Sequence, residues 1–204
     1  MALGLGYHRR WTERLVLFAR ITSSSTRIIE TDQTVSLAAE HKEKIRRFEA
    51  FYWHYERQII AYLRRMLSDE QAAYDLGQEA FMRAWQHFDD ISTHNTARAW
   101  LYRVVTNLAL NLLRQRSARP QTRLDEFLPG QSDPGRRIGE QDLINQILQK
   151  LTPKQRSALL LYEVHGLSCD EIGELLGMSR QAIKGALWRA REAFRLEYLR
   201  EDED

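Results

Sequence analysis

The sequence predicts an all-α fold in which two small helical domains are joined by a flexible linker. Apolar residues recur at helical spacing within residues 41–117 and again within 141–199. Between these stretches, in 118–140, the periodicity stops and the turn-forming pairs Pro129-Gly130 and Pro134-Gly135 occur. We therefore expect each domain to close a core of its own around amphipathic helices.

The overall charge indicates that any nucleic-acid surface must be local. The 204 residues carry a formal net charge of only +2, so the chain as a whole is not a polycation. Residues 1–40 show no sustained pattern and are predicted to be a disordered extension, and 200–204 form an acidic tail. Residues 95–119 contain no acidic residue, and their arginines are Arg98, Arg103, Arg114, Arg116 and Arg119.

Several function classes are unsupported by the composition. Cys169 is the only cysteine, so an internal disulfide and a cysteine-based zinc site are both excluded. The six histidines include no HExxH-type pair, and no phosphate-binding glycine loop or nucleophile motif indicates an enzyme. No apolar run approaches the roughly 18 residues that cross a bilayer. We expect a cytoplasmic, non-enzymatic protein without a metal or other cofactor.

Three amphipathic helices are predicted in the first domain. A wide apolar stripe that includes Ile59 and Met66 marks the first helix. The segment Ser68-Asp69-Glu70-Gln71 has the capping-box pattern that starts the second. Trp100 continues the inner stripe of the third and is expected in the core. The expected helices are approximately 40–66, 68–88 and 96–116, with a polar loop at 89–95.

The second domain is predicted to end in three short capped helices. Thr152 and Ser168 each begin a capping box, and Ser179 can cap the third helix. Gly166 and Gly177 can adopt the left-handed conformation that ends a helix. The third helix has two different faces: the inward residues are Ile183, Leu187, Ala190 and Phe194, and the outward ones are Arg180, Gln181, Lys184, Arg189 and Arg191.

A short helix, a glycine turn and a basic-faced helix are typical of a helix-turn-helix, whose second helix enters the major groove of DNA. An ordinary helical hairpin with a solvated basic face has the same pattern. The motif alone therefore leaves both interpretations open, and the rest of the chain must decide between them.

Three further stretches of the chain occur in a fixed order. They are Asp75-Leu76-Gly77-Gln78-Glu79-Ala80-Phe81 with Arg83-Ala84-Trp85, then Ala99-Trp100-Leu101-Tyr102-Arg103 with Asn107 and Asn111, and then Leu151-Thr152-Pro153 through Arg191. Together they resemble the sigma-70 family of bacterial transcription initiation factors in its two-domain extracytoplasmic-function (ECF) form. The chain departs from the family pattern at Gly77, over residues 1–40 and at Gly185-Ala186, which stands where a small polar residue and an arginine are common.

The resemblance implies that the first stretch docks on the clamp of RNA polymerase. Steps of three and four residues place Asp75, Gln78 and Glu79 on one helix face, which we interpret as the polymerase-binding surface. Phe81 and Trp85 share another step of four. Large aromatic side chains on a helix are usually buried, so these two are expected in the core.

The second stretch resembles the helix that reads and melts the promoter −10 element. A protein without ATP must bind the open strand better than the duplex, which requires cations for phosphates and a pocket for an unstacked base. Asparagine offers a base edge both a donor and an acceptor. The expected −10 contacts are Thr93, His94, Asn95, Arg98, Arg103, Asn107, Asn111 and Arg114.

The third stretch resembles the −35-reading domain. Arginine can pair with a guanine and glutamine with an adenine, so Arg180 and Gln181 are expected to read bases. Lys184 and Arg189 are expected to hold phosphates. Ser179 combines a helix cap with a phosphate contact, and no role is assigned to Trp188. The expected −35 contacts are Ser179, Arg180, Gln181, Lys184 and Arg189.

The resemblance also implies the partners. They are core RNA polymerase (through its β′ clamp helices and β flap), promoter DNA and an anti-sigma factor, with no membrane insertion. The alternative hypothesis is a free-standing helix-turn-helix regulator whose first domain is a dimerisation or sensor bundle. The loose predicted linker counts against that alternative, because a sensor is rarely coupled to its DNA reader through such a segment.

Overall fold

The computed structural model describes residues 32–91, 96–118 and 140–201. Every regular element within these ranges is a helix, which confirms the predicted all-α class. The segments 1–31, 92–95, 119–139 and 202–204 lie outside the described residues, and with them most of the predicted extension, part of the −10 contacts, most of the linker and most of the acidic tail. The chain divides into two compact units, Met1–Phe51 and Tyr52–Asp204.

The helices follow the predicted order. No helix within the described ranges has an apolar stretch long enough to cross a membrane. The part before residue 119 forms α1 (Asp32–Leu67), α2 (Glu70–Gln86), α3 (Phe88–Ile91) and α4 (Thr96–Ala118). The part from residue 140 forms α5 (Glu140–Lys150), α6 (Pro153–Leu159), a π-helical turn (Leu160–Val164), α7 (Cys169–Leu176) and α8 (Arg180–Glu201).

The predicted caps of the later helices are confirmed. The hydroxyl of Thr152 accepts a hydrogen bond from the backbone N–H three residues later at 3.4 Å. Those of Ser168 and Ser179 do the same at 3.2 Å. Gly166 and Gly177 both have φ of +63°, the left-handed conformation expected at the end of a helix. Local sequence chemistry therefore determines where these helices begin and end.

Other boundaries differ from the predictions. α1 begins at Asp32, before the predicted start. α2 is capped by Asp69, whose carboxylate accepts from the backbone N–H of Ala72 at 2.9 Å, and Ser68 lies outside the helix with φ of +49°. A carboxylate makes a charge-assisted bond to the helix N-terminus, which a serine hydroxyl cannot. The helix that begins at Pro153 becomes a π-helical turn at Leu160–Val164, which no periodicity predicted.

In the first unit, the described residues belong to the N-terminal part of α1. Arg46 and Glu43 form an exposed ion pair one helical turn apart, with N and O atoms 2.7 Å from each other. The rings of Phe48 and Phe51 lie 6.0 Å apart, on successive turns. Both contacts are local to the helix, and an exposed pair of this kind contributes little stability.

Aromatic side chains form the centre of the second unit. The ring of Phe81, on α2, packs 4.7 Å from that of Tyr52 on α1. Tyr62 of α1 packs edge-on against Tyr102 of α4, with ring centroids 5.8 Å apart. Phe81 is 1% exposed and Trp85 is 9% exposed, so the expected core positions of these two residues are confirmed.

Arg156 is a buried cation at the junction of α1, α5 and α6. It is 4% exposed, and its Nε donates to the carbonyl of Leu148 at 2.7 Å. Its two terminal nitrogens donate to the carbonyls of Met66, Gln149 and Leu151. Burial lowers the pKa of this guanidinium to about 10, which leaves it charged at neutral pH. The charge is therefore satisfied by the carbonyl ends of two helices.

Tyr62 extends this junction through its hydroxyl. The oxygen lies 2.8 Å from Oγ1 of Thr106 on α4 and 3.0 Å from Oγ of Ser157 on α6. All three residues are fully buried, and burial raises the pKa of Tyr62 to about 12. The two segments predicted as separate domains thus contact each other inside one compact unit, through buried polar groups.

Replacing Arg156 with methionine should destabilise the protein by about 3 kcal/mol, because several buried carbonyls lose the charged donor that Arg156 supplies. Methionine fills similar space without donating. Urea denaturation followed by circular dichroism measures the change. As a matched control, Arg195→Met removes an exposed arginine that pairs with Glu192 one turn away, and should change stability by less than about 0.5 kcal/mol. A loss below about 1 kcal/mol for Arg156→Met would contradict the prediction.

Candidate nucleic-acid interface

α4 presents a polar stripe to solvent. Arg103, Asn107, Asn111 and Arg114 are all exposed, and their spacing of four, four and three residues places them on one face of the helix. Arg114 donates to the side-chain oxygen of Asn111 at 3.3 Å. The opposite face, which includes Leu101 and Val105, is buried. The structure thus brings together four of the predicted −10 residues on one accessible surface.

Arg98 is placed differently from the other predicted −10 residues. It is half-buried at the start of α4 and donates to the backbone carbonyl of His165. Its charge also contributes to lowering the pKa of Glu171, behind the hydrogen bonds that this carboxylate accepts from Ser168. In this arrangement Arg98 binds the second domain and is not available to a nucleic acid.

Trp100 lies at the edge of the core, which corrects its predicted position inside it. The side chain is half-buried, and its ring lies 6.0 Å from that of His87 at the end of α2. The loop residues predicted to complete a base pocket, Thr93, His94 and Asn95, lie outside the described residues.

His165 is inserted between two tyrosines. Its ring centroid lies 5.5 Å from that of Tyr62 and 4.8 Å from that of Tyr102, whose hydroxyl is 2.7 Å from Nδ1. Nε2 is buried without a hydrogen-bond partner among the described residues. Burial, and then the positive charges of Arg65 and Arg98, lower the pKa of His165 to about 4. The imidazole is therefore neutral at physiological pH.

α7 and α8 form the helix-turn-helix. A Cβ atom on Gly173 would lie 2.7 Å from the carbonyl oxygen of Met178, so the tight approach of the turn requires glycine there. The stripe Ile183, Leu187 and Ala190 is buried as predicted. Phe194, further along, is only half-buried. The helix-turn-helix thus has a packed inner side and leaves the other side of α8 free.

The predicted −35 residues are all exposed, on and beside the N-terminal turns of α8. They are Ser179, Arg180, Gln181, Lys184 and Arg189. Arg180 lies 3.3 Å from the carboxylate of Asp170 on α7, in a pair that is more than half exposed. Arg191, which the sequence placed on the same basic face, pairs with Glu163 at 2.6 Å and lies over the ring of Tyr162.

Two further residues share the outward face of α8. Trp188 is 67% exposed, and Gly185 is partly exposed one turn before it. The sequence marked Gly185 only as a departure from the family pattern and indicated no role for Trp188. Trp188 lies two turns after Gln181, and a seven-residue step returns to the same face of a helix. This spacing could have placed Trp188 on the outward face from the sequence alone.

The predicted polymerase-binding residues lie together on α2. Asp75 is exposed and accepts from Gln71 at 2.9 Å, while Gln78 and Glu79 are half-exposed. Met82, 42% exposed, continues the same face one turn later and was not identified from the sequence. Gly77 faces the other way: a Cβ there would lie 2.5 Å from a terminal carbon of Ile60. The unusual glycine therefore allows α1 and α2 to pack closely.

Two family models match the chain, "Sigma-70 region 2" over residues 51–119 and "Sigma-70, region 4" over residues 141–194. The RNA polymerase sigma-H factor of Pseudomonas aeruginosa is 30% identical, over 80% of this chain and 92% of that protein. The ECF sigma factor SigW of Bacillus subtilis is 31% identical, over 69% and 83%. SigG of Mycobacterium tuberculosis is 27% identical, and the match spans only 58% of its length.

Solved structures share the fold. RpoE of Bartonella quintana, in complex with the anti-sigma factor NepR, matches with a TM-score of 0.61 at 22% identity, covering 74% of this chain and 96% of that one. CnrH, in complex with the cytosolic domain of CnrY, matches with a TM-score of 0.55 at 24% identity, covering 77% and 89%.

The buried neutral His165 should make stability depend on pH. Its pKa is about 4 in the folded protein and 6.5 when unperturbed, so the unfolded chain binds the proton first as pH falls. The stabilisation is present above about pH 6.5 and is lost as pH falls towards 4. Glutamine cannot titrate, so His165→Gln should lose less stability than wild type over this window. Urea denaturation of both proteins at about pH 7 and about pH 4.5 tests this, and a pH-independent difference would contradict it.

Proposed function

The chain belongs to the sigma-70 family of RNA polymerase sigma factors, in its ECF form, and on that premise we propose that it binds core RNA polymerase and directs it to specific promoters. The observation that carries the proposal is the combination of two exposed surfaces on one chain. One is the arginine and asparagine stripe of α4, and the other is the basic outward face of α8. We assign −10 recognition to residues 41–117 and −35 recognition to residues 141–199.

The α4 stripe suits single-stranded DNA. Separating the strands costs about 1.4 kcal/mol per base-pair step in lost stacking, which must be recovered by binding the open strand. Arg103 and Arg114 supply charge for phosphates at the two ends of the stripe. Asn107 and Asn111 lie between them, one turn apart, and can hydrogen-bond the edges of unpaired bases. Arg98 joins this surface once its bond to the carbonyl of His165 is released.

The outward face of α8 suits duplex DNA. Arg180 and Gln181 lie in the first turn, where side chains of a recognition helix reach base edges. Releasing Arg180 from Asp170 costs little, because exposed ion pairs are weak. Lys184 and Arg189 extend the positive surface to the phosphates, and Ser179 adds a hydroxyl at the helix start. Each surface alone binds weakly. When both are attached to one polymerase, the second contact forms at a high effective concentration, and the combined affinity exceeds that of either surface alone.

The α2 surface formed by Asp75, Gln78, Glu79 and Met82 is the proposed contact with the polymerase clamp. Its acidic and amide groups fit a basic partner, and Met82 provides an adaptable apolar contact at its end. The β flap is the proposed partner of the second domain. Glu79 pairs with Arg83 in the free protein, with both side chains about half exposed, so the pair can exchange partners readily.

An anti-sigma factor is the proposed regulator. The bond from Arg98 to His165 and the buried contacts of Tyr62 hold the two DNA-binding segments together. A partner that binds this arrangement better than the open one would shift the protein away from DNA by its differential affinity. The cytoplasm, where polymerase and promoters are found, is the proposed location.

Asn107→Ala and Arg180→Ala should each reduce promoter-directed transcription by about 5-fold to 100-fold without unfolding the protein, since both side chains are exposed and loss of a base contact costs about 1–3 kcal/mol. Run-off transcription with bacterial core polymerase, first on a library of promoter fragments and then on a selected promoter, measures the effect. Gln58→Ala, which removes an exposed amide on α1 outside the proposed binding surfaces, and Arg200→Ala, at the far end of α8, are the matched controls.

Each outcome of this assay decides something specific. Loss in the two test variants but not in the controls supports both surfaces. Full activity of both test variants refutes the site assignment and leaves the function intact. A wild-type protein that binds duplex DNA alone and yields no transcript with polymerase would refute the proposed function in favour of a free-standing regulator.

A further inference from the structure

The outward face of α8 exposes a tryptophan to water. At 67%, Trp188 is more exposed than any other large hydrophobic side chain that the structure describes. It lies opposite the buried stripe of Ile183, Leu187 and Ala190, so no small rotation of α8 would bury it. Tryptophan has a large apolar surface whose exposure is unfavourable. The position therefore calls for a ligand that covers it.

Gly185 has no explanation inside the protein. A Cβ on Gly173 would lie 2.7 Å from the backbone oxygen of Met178, so close packing requires that glycine, and a Cβ on Gly77 would displace the end of the Ile60 side chain. A Cβ on Gly185 would meet only the guanidinium of Arg189, at 3.4 Å, and this glycine has no positive φ. Glycine within a helix is less stable than alanine. The remaining explanation for glycine at this position is that another molecule approaches the helix backbone closely.

The charge around Gly185 and Trp188 indicates which kind of molecule binds there. No acidic residue occurs from Arg180 to Arg191, so the outward face of α8 is positive except where Asp170 of α7 pairs with Arg180. Lys184 directly precedes Gly185, and the guanidinium of Arg189 lies beside it. Gln181, Lys184 and Trp188 lie on the same side of the helix, with Gly185 among them. A polyanion with an apolar group in reach fits this surface, and the major groove of DNA is one.

We propose that Gly185 and Trp188 determine part of the −35 specificity by recognising thymine. Gly185 lets the helix backbone lie close to the floor of the major groove, and the indole of Trp188 covers the 5-methyl groups of one or two thymines. Thymine is the only base that presents a methyl group there. This inference rests on the proposed −35 reading by α8 and adds the base that this face selects.

Deoxyuridine tests the contact directly, because it differs from thymine only by the 5-methyl group. A promoter selected by the wild-type protein is synthesised with each −35 thymine replaced in turn by deoxyuridine. Run-off transcription with core polymerase at limiting wild-type protein should fall about fourfold at one or two positions, the effect of losing one buried methyl. Trp188→Ala should transcribe the thymine promoter less well and show a thymine-to-deoxyuridine ratio close to one.

Lys184→Ala is the matched control on the same face. Its loss of a phosphate contact should lower transcription from every template and keep the fourfold preference for thymine. The inference is overturned if the wild type is insensitive to deoxyuridine at every position, if Trp188→Ala keeps the preference, or if the selected −35 element contains no thymine. Absence of any wild-type transcript would instead overturn the proposed function, and the inference with it.

Gly185→Ala provides an independent variant that cannot fail by unfolding. Alanine favours the helix and meets only a flexible guanidinium, so the melting temperature should rise by about 2 °C. The same variant should need at least about threefold more protein for half-maximal transcription, because the added methyl holds the helix away from the groove. Unchanged or improved transcription from this variant would refute the role of Gly185.

Discussion

The guanidinium of Arg156 is the interaction on which the packing of residues 52–118 against residues 140–201 depends. It occupies the point where α1 and α5 end and α6 begins, and it donates to carbonyls from the last turns of both ending helices. Those carbonyls have no partner within their own helices, and they carry the negative ends of the helix dipoles. One cation therefore satisfies two helix ends at once, and no aliphatic side chain could take its place.

Further polar contacts join the two segments around Arg156. The Tyr62 hydroxyl bonds Thr106 and Ser157, Tyr102 bonds His165, and Gln149 donates to the carbonyl of Arg65 at 3.2 Å. Hydrogen bonds exchange with water at small net cost, whereas separating an apolar interface exposes its whole area. Segments joined in this way can come apart when a partner binds either one, which suits the proposed placement of two surfaces on one promoter.

Local chemistry made much of the fold predictable. Thr152, Ser168 and Ser179 act as caps through atoms within three residues of themselves, and Gly177 needs only its own φ to end α7. The stripe on α4 and the two faces of α8 followed from helical periodicity. Each of these features depends on residues that are close together in the sequence. A single sequence is therefore enough to predict them.

Features that depend on distant residues were not predictable in the same way. Because Arg156 stands between the polar residues Gln155 and Ser157 in the sequence, it is expected to be exposed to solvent. It is buried because α1 and α5 pack against it. Arg98 has the sequence context of a DNA contact, yet the π-helical turn at Leu160–Val164 brings the carbonyl of His165 within its reach. The cap at Asp69 was missed for a further reason: Arg116 pairs with that carboxylate at 2.6 Å across 47 residues, so Asp69 serves two helices.

Many arginines of this chain, whose net charge is only +2, form ion pairs with carboxylates, and this bears on the two proposed DNA-binding faces. Arg64, Arg83, Arg116, Arg191 and Arg195 are all engaged by carboxylates. Among the described residues, Arg103, Arg114, Lys184 and Arg189 have no carboxylate within 4 Å, and all four lie on the two proposed DNA-binding faces. A cation already paired must give up its carboxylate before it can neutralise a phosphate, which removes most of the gain from counterion release. On the proposed −35 face, Arg180 must therefore leave Asp170 before it can contact DNA, whereas Lys184 and Arg189 have no carboxylate to give up.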